Sequence, residues 1–220
     1  MSIFSTSVGK KFIMAVSGLL MVLFVIVHML GNLTIFASYI NAYAAKLHSL
    51  FLLIWGYRVV LGAAVIAHIF FGMQLTLENR AAKPQENTMT RYRSVTFAGE
   101  TMIWTGLILM AFITYHLLHF TVRITNPAIS HFVDALGRPD VYRMVVLSFR
   151  HGIIATIYVA SMVVLFLHLS HGIQSFVQTL GWNSDRTLLS VRTTGLVISA
   201  MLLIGFAAIP ITVVVGILGG

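Results

Sequence analysis

Not one cysteine occurs in the 220 residues, so disulfides, thiolate-held iron–sulfur clusters and covalent haem attachment through C-x-x-C-H are excluded. Negative charge is nearly as scarce, with six acidic residues, and only 9% of the chain is charged where soluble domains carry roughly a quarter. Proline is rare too, at four residues. A mean hydropathy of +0.93 and 58% hydrophobic residues identify an integral membrane protein. The net charge of +8 does not point to nucleic acid, because its Lys and Arg residues are scattered through short connections. Anionic lipid headgroups or a partner protein suit them better. Any redox centre would have to be held by histidine or methionine.

What is present is a series of long apolar runs. Five are long enough to cross a hydrocarbon core of about 30 Å at 1.5 Å per residue, near 12–36, 53–78, 97–123, 149–178 and 191–217. The first follows Lys10-Lys11 as a signal peptide would, but about 25 residues pass without a small-residue cleavage site, so it reads as a retained helix. Helical glycines (Gly18, Gly62, Gly72, Gly106, Gly152, Gly172, Gly195, Gly205) suit close helix contacts better than ligand clearance. Eight basic residues lie on the side of the N-terminus and six on the other, which places the N-terminus in the cytoplasm and the C-terminus outside. In the connection after the third span, "RPD" before apolar positions at helical spacing predicts an interfacial helix. No soluble domain, low-complexity tail or internal repeat is evident. The fold class is an all-α bundle of five transmembrane helices forming one domain over residues 1–220.

Nine histidines stand against those six acids, and several interrupt hydrocarbon: "VIVHMLGN", "VIAHIFFG", "ITYHLLHF" and "LFLHLSHG". One such histidine can be a residue hydrogen-bonded to a neighbouring helix. Four at matched depths imply more. His28 and His116 fall late on outward-running helices, and His68 and His168 fall past the midpoint of inward-running ones, about 10 Å deeper by helical rise. Two pairs at two depths, each from two helices, is the arrangement two stacked haems require, since an iron in a porphyrin takes its axial ligands from opposite faces. Bis-histidine ligation leaves no position for dioxygen, so electron transfer follows.

Other polar residues are candidates for the surroundings. His119 and His171, displaced about 60° from the preceding histidines, either bond a haem propionate or quinone or are polar residues at helix ends. Arg58 and Arg150 suit the propionates of the outer haem and Lys11, Arg91 or Arg93 those of the inner one, with snorkelling to lipid phosphate as the alternative. His48, in the loop "NAYAAKLHSL", could face a quinone headgroup or simply solvent. His131 reads as a solvated loop residue and His151 as interfacial, and Trp55, Trp104 and Trp182 as aromatic-belt anchors.

The segments "SVGKKFIMAVSGLLMVLFVIVHMLGNL", "AHIFFG", "YHLLHF" and "LHLSHGIQSFVQTLGW" resemble the membrane cytochrome b subunit of bacterial succinate:quinone oxidoreductases, that is, succinate dehydrogenases and fumarate reductases of the five-helix, two-haem type. The resemblance spans nearly the whole chain and implies two b haems, an outer one on His28 and His116 and an inner one on His68 and His168. It also implies a flavoprotein and an iron–sulfur subunit on the cytoplasmic side of a bacterial inner membrane. The chain would anchor them and pass electrons to or from a membrane quinone, menaquinone by preference, with Asn41, Tyr43 and His48 as candidate contacts near the outer haem. Higher oligomers of the complex are compatible with it. One departure is Phe166, which stands where some two-haem fumarate reductases carry a proton-carrying glutamate. The rival readings are the cytochrome b subunit of a hydrogenase or formate dehydrogenase, and a histidine-lined transporter of metal ions or protons. The end segments quoted above argue against the first, and the lack of carboxylates in the central spans against the second.

Overall fold

The computed structural model describes residues 6–82, 101–182 and 184–219. Helix α1, Ser7–Leu33, starts earlier than the apolar run because the Thr6 side chain caps it, accepting from the Gly9 N–H at 3.1 Å. A 3₁₀ turn at Thr34–Ala37 leads into α2, Ile40–Ser49. The sequence predicts a loop there; the structure has a helix, which Ala42, Ala44 and Ala45 favour. Helix α3 spans Phe51–Ala81, and α4, Met102–His116, continues as a π turn over Leu117–Thr121. The expected interfacial helix is α5, Val141–Phe149, and it begins where "RPD" places it: Asp140 caps it by accepting from the Arg143 N–H at 3.0 Å. Helices α6, Gly152–Thr179, and α7, Asp185–Val214, complete the bundle.

Five helical segments are long and apolar enough to cross a membrane, at residues 7–37, 51–81, 102–121, 152–179 and 188–214. Four match the expected spans to within a few residues at each end. Of the expected 97–123 span, residues 97–100 lie outside the described residues, and its far end becomes the π turn. Only 17–33% of each apolar window is buried within the chain, so most apolar surface faces outward. Val59, Ile66 and Ile204 are each about 70% exposed, which suits lipid and would be untenable in water.

Helices α1, α3, α4 and α6 form a closed ring, each touching the next, and α7 lies against α1 and α6. Glycines allow that last approach: a Cβ on Gly205 would run into Met29, and one on Gly195 would sit 3.3 Å from Ile173. At the end of the bundle remote from the N-terminus, α2 and α5 form a lid over a core that includes Ile35, Ile40, Val145, Phe149, Tyr158 and Ile209. Asn41 ties the two lid helices together, accepting from the Tyr142 N–H at 2.8 Å and donating to Asp140 at 3.0 Å. In the loop before α5, Arg138 pairs with Asp134 and two backbone N–H groups donate to the same carboxylate. These bonds hold the Asp134 pKa down at about 2.

At the N-terminal end, Lys10 on α1 reaches Glu78 on α3 at 2.5 Å, and the lysine side chain is only 7% exposed. Glu78→Ala leaves that ammonium buried without a partner, and the thermal unfolding midpoint in detergent falls, equivalent to about 1–3 kcal/mol. The double variant Lys10→Met/Glu78→Leu recovers most of the loss, because no uncompensated charge remains. At the other end, the Asp134 contribution is fully present above the ordinary carboxylate range near pH 4 and is lost only as pH falls through about 2. The carboxyl carbon shift of Asp134, followed by NMR against pH, titrates near 2 in the native chain and moves toward 4 in Arg138→Ala.

Candidate functional site

The four central histidines meet in two pairs across the ring. His28 on α1 faces His116 on α4 with ring centroids 5.9 Å apart and planes at 87°. His68 on α3 faces His168 on α6 at 6.3 Å and 66°. The His68–His168 pair lies toward the N-terminal end, beside Met14 and Ser17, and the His28–His116 pair toward the lid.

Each ring is held differently. The Nδ1–H of His68 donates to the Met14 carbonyl at 3.0 Å, which fixes the tautomer because a carbonyl can only accept, and the Ser17 hydroxyl oxygen lies 3.4 Å from the same nitrogen. His168 Nδ1 lies 3.0 Å from the buried Thr105 hydroxyl, whose single hydrogen has backbone carbonyls of Thr101 and Met102 within 3.1 Å. With that hydrogen on either carbonyl, the hydroxyl oxygen is free to accept from an Nδ1–H of His168. His28 stacks on Phe24 at 5.2 Å; the Asn32 amide donates to its backbone carbonyl at 2.7 Å and lies 3.3 Å from its Nε2. His116 is ringed by Phe112, Phe120 and Tyr158, and among the described residues its buried Nδ1 has no partner.

His119 does not stay beside His116. The π turn that starts at Leu117 winds more widely than an α-helix, so His119 is carried past the expected 60° and into the packing between α5 and α6. It is 1% exposed there and both nitrogens are bonded. Ser148 uses its hydrogen on the Met144 carbonyl at 2.7 Å, so His119 Nε2–H donates to Ser148 at 3.1 Å, and Nδ1 accepts from the Tyr158 hydroxyl at 2.9 Å.

The remaining candidates are spread more widely. The Arg58 guanidinium lies 5.3 Å from the ring centre of Trp55, which is itself half exposed, and Arg150 is exposed and donates to the Gly219 carbonyl. Lys11 is exposed while its neighbour Lys10 is buried, and His171 is half-buried on α6. Arg91 and Arg93 lie outside the described residues. The Asn41 amide is engaged within the lid, and the Tyr43 ring lies against Gly31, where a Cβ would approach to 2.7 Å. His48 is at the surface; partial covering of its ring and then the Arg58 and Arg123 charges lower its pKa below 6.5. His131 and His151 are exposed, as are Trp104 and Trp182.

Ser17 and Thr105 are contact residues that the sequence does not single out, and Gly18 and Gly106, expected to serve close helix contacts, instead lie against imidazoles; an internal repeat marks all four. "SGLLMVLFVIVH", residues 17–28, aligns without gaps with "TGLILMAFITYH", residues 105–116, and "HIFFGMQ", residues 68–74, with "HLSHGIQ", residues 168–174. The bundle thus contains an internal repeat, α1–α3 and α4–α6, with one member of each histidine pair in each half. Ser17-Gly18 lies against His68, and Thr105-Gly106 against His168.

Tyr158→Phe keeps the ring packing but leaves His119 Nδ1 without its donor. Unfolding in detergent then shows a loss of about 1–3 kcal/mol, and Ser148→Ala added to it costs less than the sum of the two single changes.

Comparison with known proteins gives no match among curated proteins or solved structures. The family model for the succinate dehydrogenase/fumarate reductase transmembrane subunit matches residues 83–209, more than half of the chain. This multi-pass membrane protein belongs to that family.

Proposed function

We propose that the chain is the membrane anchor and dihaem cytochrome b subunit of a succinate:quinone oxidoreductase, with His28 and His116 holding one b haem and His68 and His168 the other. One observation carries the reading. Two imidazoles bound to opposite sides of one iron at about 2 Å each have ring centroids about 6 Å apart, and the two pairs stand at 5.9 and 6.3 Å. The donor chemistry agrees. His68 carries its proton on Nδ1, His168 has the Thr105 hydroxyl at Nδ1 to accept one, and each keeps the Nε2 lone pair for a metal; among the described residues His116 has a buried Nδ1 with no partner. At His28, the 3.3 Å approach of the Asn32 amide is the weaker of that amide's two contacts and the one to be given up.

When bound, the two haems supply one-electron carriers in series. The chain's own residues hold the histidine rings at two depths, would leave a bound iron no site for dioxygen, and surround the His28–His116 level with the apolar rings of Phe24, Phe112, Phe120 and Phe206. With the N-terminus in the cytoplasm of a bacterial cell, the His68–His168 level faces the iron–sulfur and flavoprotein partners, and the His28–His116 level faces a quinone, menaquinone by preference. Of the three quinone candidates His48 keeps an exposed ring, whereas Asn41 is engaged in the lid. Arg91 and Arg93 remain the proposed propionate partners near the cytoplasmic edge, with Lys11.

A reduced-minus-oxidised spectrum with pyridine haemochrome quantification tests the reading. Two haem b per chain are expected, and one in His68→Ala with helical content unchanged. A folded chain without haem overturns the proposal.

A further inference from the structure

We infer that Ser17-Gly18 on α1 and Thr105-Gly106 on α4 are corresponding seats that position His68 and His168, with Nδ1 held as the donor by the Met14 carbonyl beside Ser17 in one seat and by Thr105 itself in the other, so that Nε2 is left to bind iron. The inference rests on the dihaem reading. In each seat a hydroxyl side chain, buried at 5% exposure, stands at the ring nitrogen, and the glycine that follows lies against the ring edge. A Cβ on Gly18 would lie 3.2 Å from His68 Cε1, and one on Gly106 3.5 Å from His168 Cε1. The hydroxyls act differently: Thr105 stands 3.0 Å from the His168 nitrogen as its acceptor, whereas at His68 the Met14 carbonyl is the nearer acceptor and Ser17, which has the Ile13 and Met14 carbonyls at 2.8 and 3.0 Å for its hydrogen, stands beside the ring at 3.4 Å.

The repeat explains why the seats recur. Ser17 precedes His28 by eleven residues, and Thr105 precedes His116 by the same eleven. At 100° per residue that is three turns and about 20°, so hydroxyl and histidine share one face of the helix, about 16 Å apart. Helices α1 and α4 each therefore supply a ligand at one level and a seat at the other. Among the described residues the lid-side pair has no equivalent, since His116 Nδ1 is unpartnered.

An acceptor at Nδ1–H strengthens an imidazole as a ligand, and a stronger donor favours ferric iron. Thr105 is thus a positioning residue whose removal raises the potential of one haem only. The test is a redox titration of the purified complex carrying Thr105→Val or Thr105→Ser, with low-temperature electron paramagnetic resonance of both haem signals and the inner signal assigned from His68→Ala. Thr105→Val should shift the inner midpoint upward and alter its signal, with the other haem unmoved, and Thr105→Ser should restore both. Should Thr105→Val lose the inner haem, its retention in Thr105→Ser supports the seat. Loss in both, or a Thr105→Val protein that titrates as the native one does, overturns the inference. Gly18→Ala should displace inner haem more than Gly106→Ala, following the tighter approach, and the reverse order also counts against it. A native complex with no haem at His68 and His168 refutes the dihaem reading instead.

Discussion

Inside hydrocarbon no water is available to satisfy an imidazole, so each of its two nitrogens must find a partner in the chain or in something the chain holds. That constraint organises this bundle. His119 meets it entirely with side chains, through Tyr158 and Ser148, and is locked into the packing between α5 and α6. Among the described residues, His68 and His168 meet it at Nδ1 and His116 leaves a buried nitrogen without a partner. On the proposed dihaem reading, the difference between a structural histidine and a ligand histidine is a count of unused nitrogens.

The same constraint accounts for the ring of four helices. On the proposed dihaem reading, a pair of ligands must approach each iron from opposite sides, which calls for two helices per level, and two levels can share four helices only if each helix carries one ligand histidine. The repeat of α1–α3 by α4–α6 supplies this arrangement. Helix α7 and the lid contribute bulk around the ring, through Phe206 beside His28 and Phe149 beside Tyr158.

Much of this is written openly in the sequence. Apolar runs with few charges mark the spans, because a bilayer tolerates little else, and histidines in such runs are conspicuous for the same reason. The start of α5 was legible because Asp140 is a capping residue placed before apolar positions. Other features were hidden by their physics. Helix α2 is only ten residues long and only weakly apolar, so it reads as a loop until its packing against α5 is known. The π turn after His116 leaves no compositional trace, so the direction of His119 could not be counted from an α-helical wheel. The seats were obscured because serine, threonine and glycine are ordinary in membrane helices; they stand out only once the ring each one touches is known. Glycine shows the ambiguity well, since Gly195 and Gly205 bring helices together while Gly18 and Gly106 make room for imidazoles.

The eleven-residue spacing turns α1 and α4 into rulers. What matters between Ser17 and His28, or between Thr105 and His116, is the number of residues far more than their identity, because only the count fixes both the turn and the rise. Apart from Gly18 and Gly106 at the seats and Phe24 and Phe112 beside the histidines, such a stretch can drift among Leu, Ile, Val and Met without disturbing either level. A single inserted or deleted residue would swing the histidine about 100° away from its partner while leaving hydropathy, charge and helix length nearly unchanged. The information in these segments is metric, and a comparison that scores only residue types will miss it.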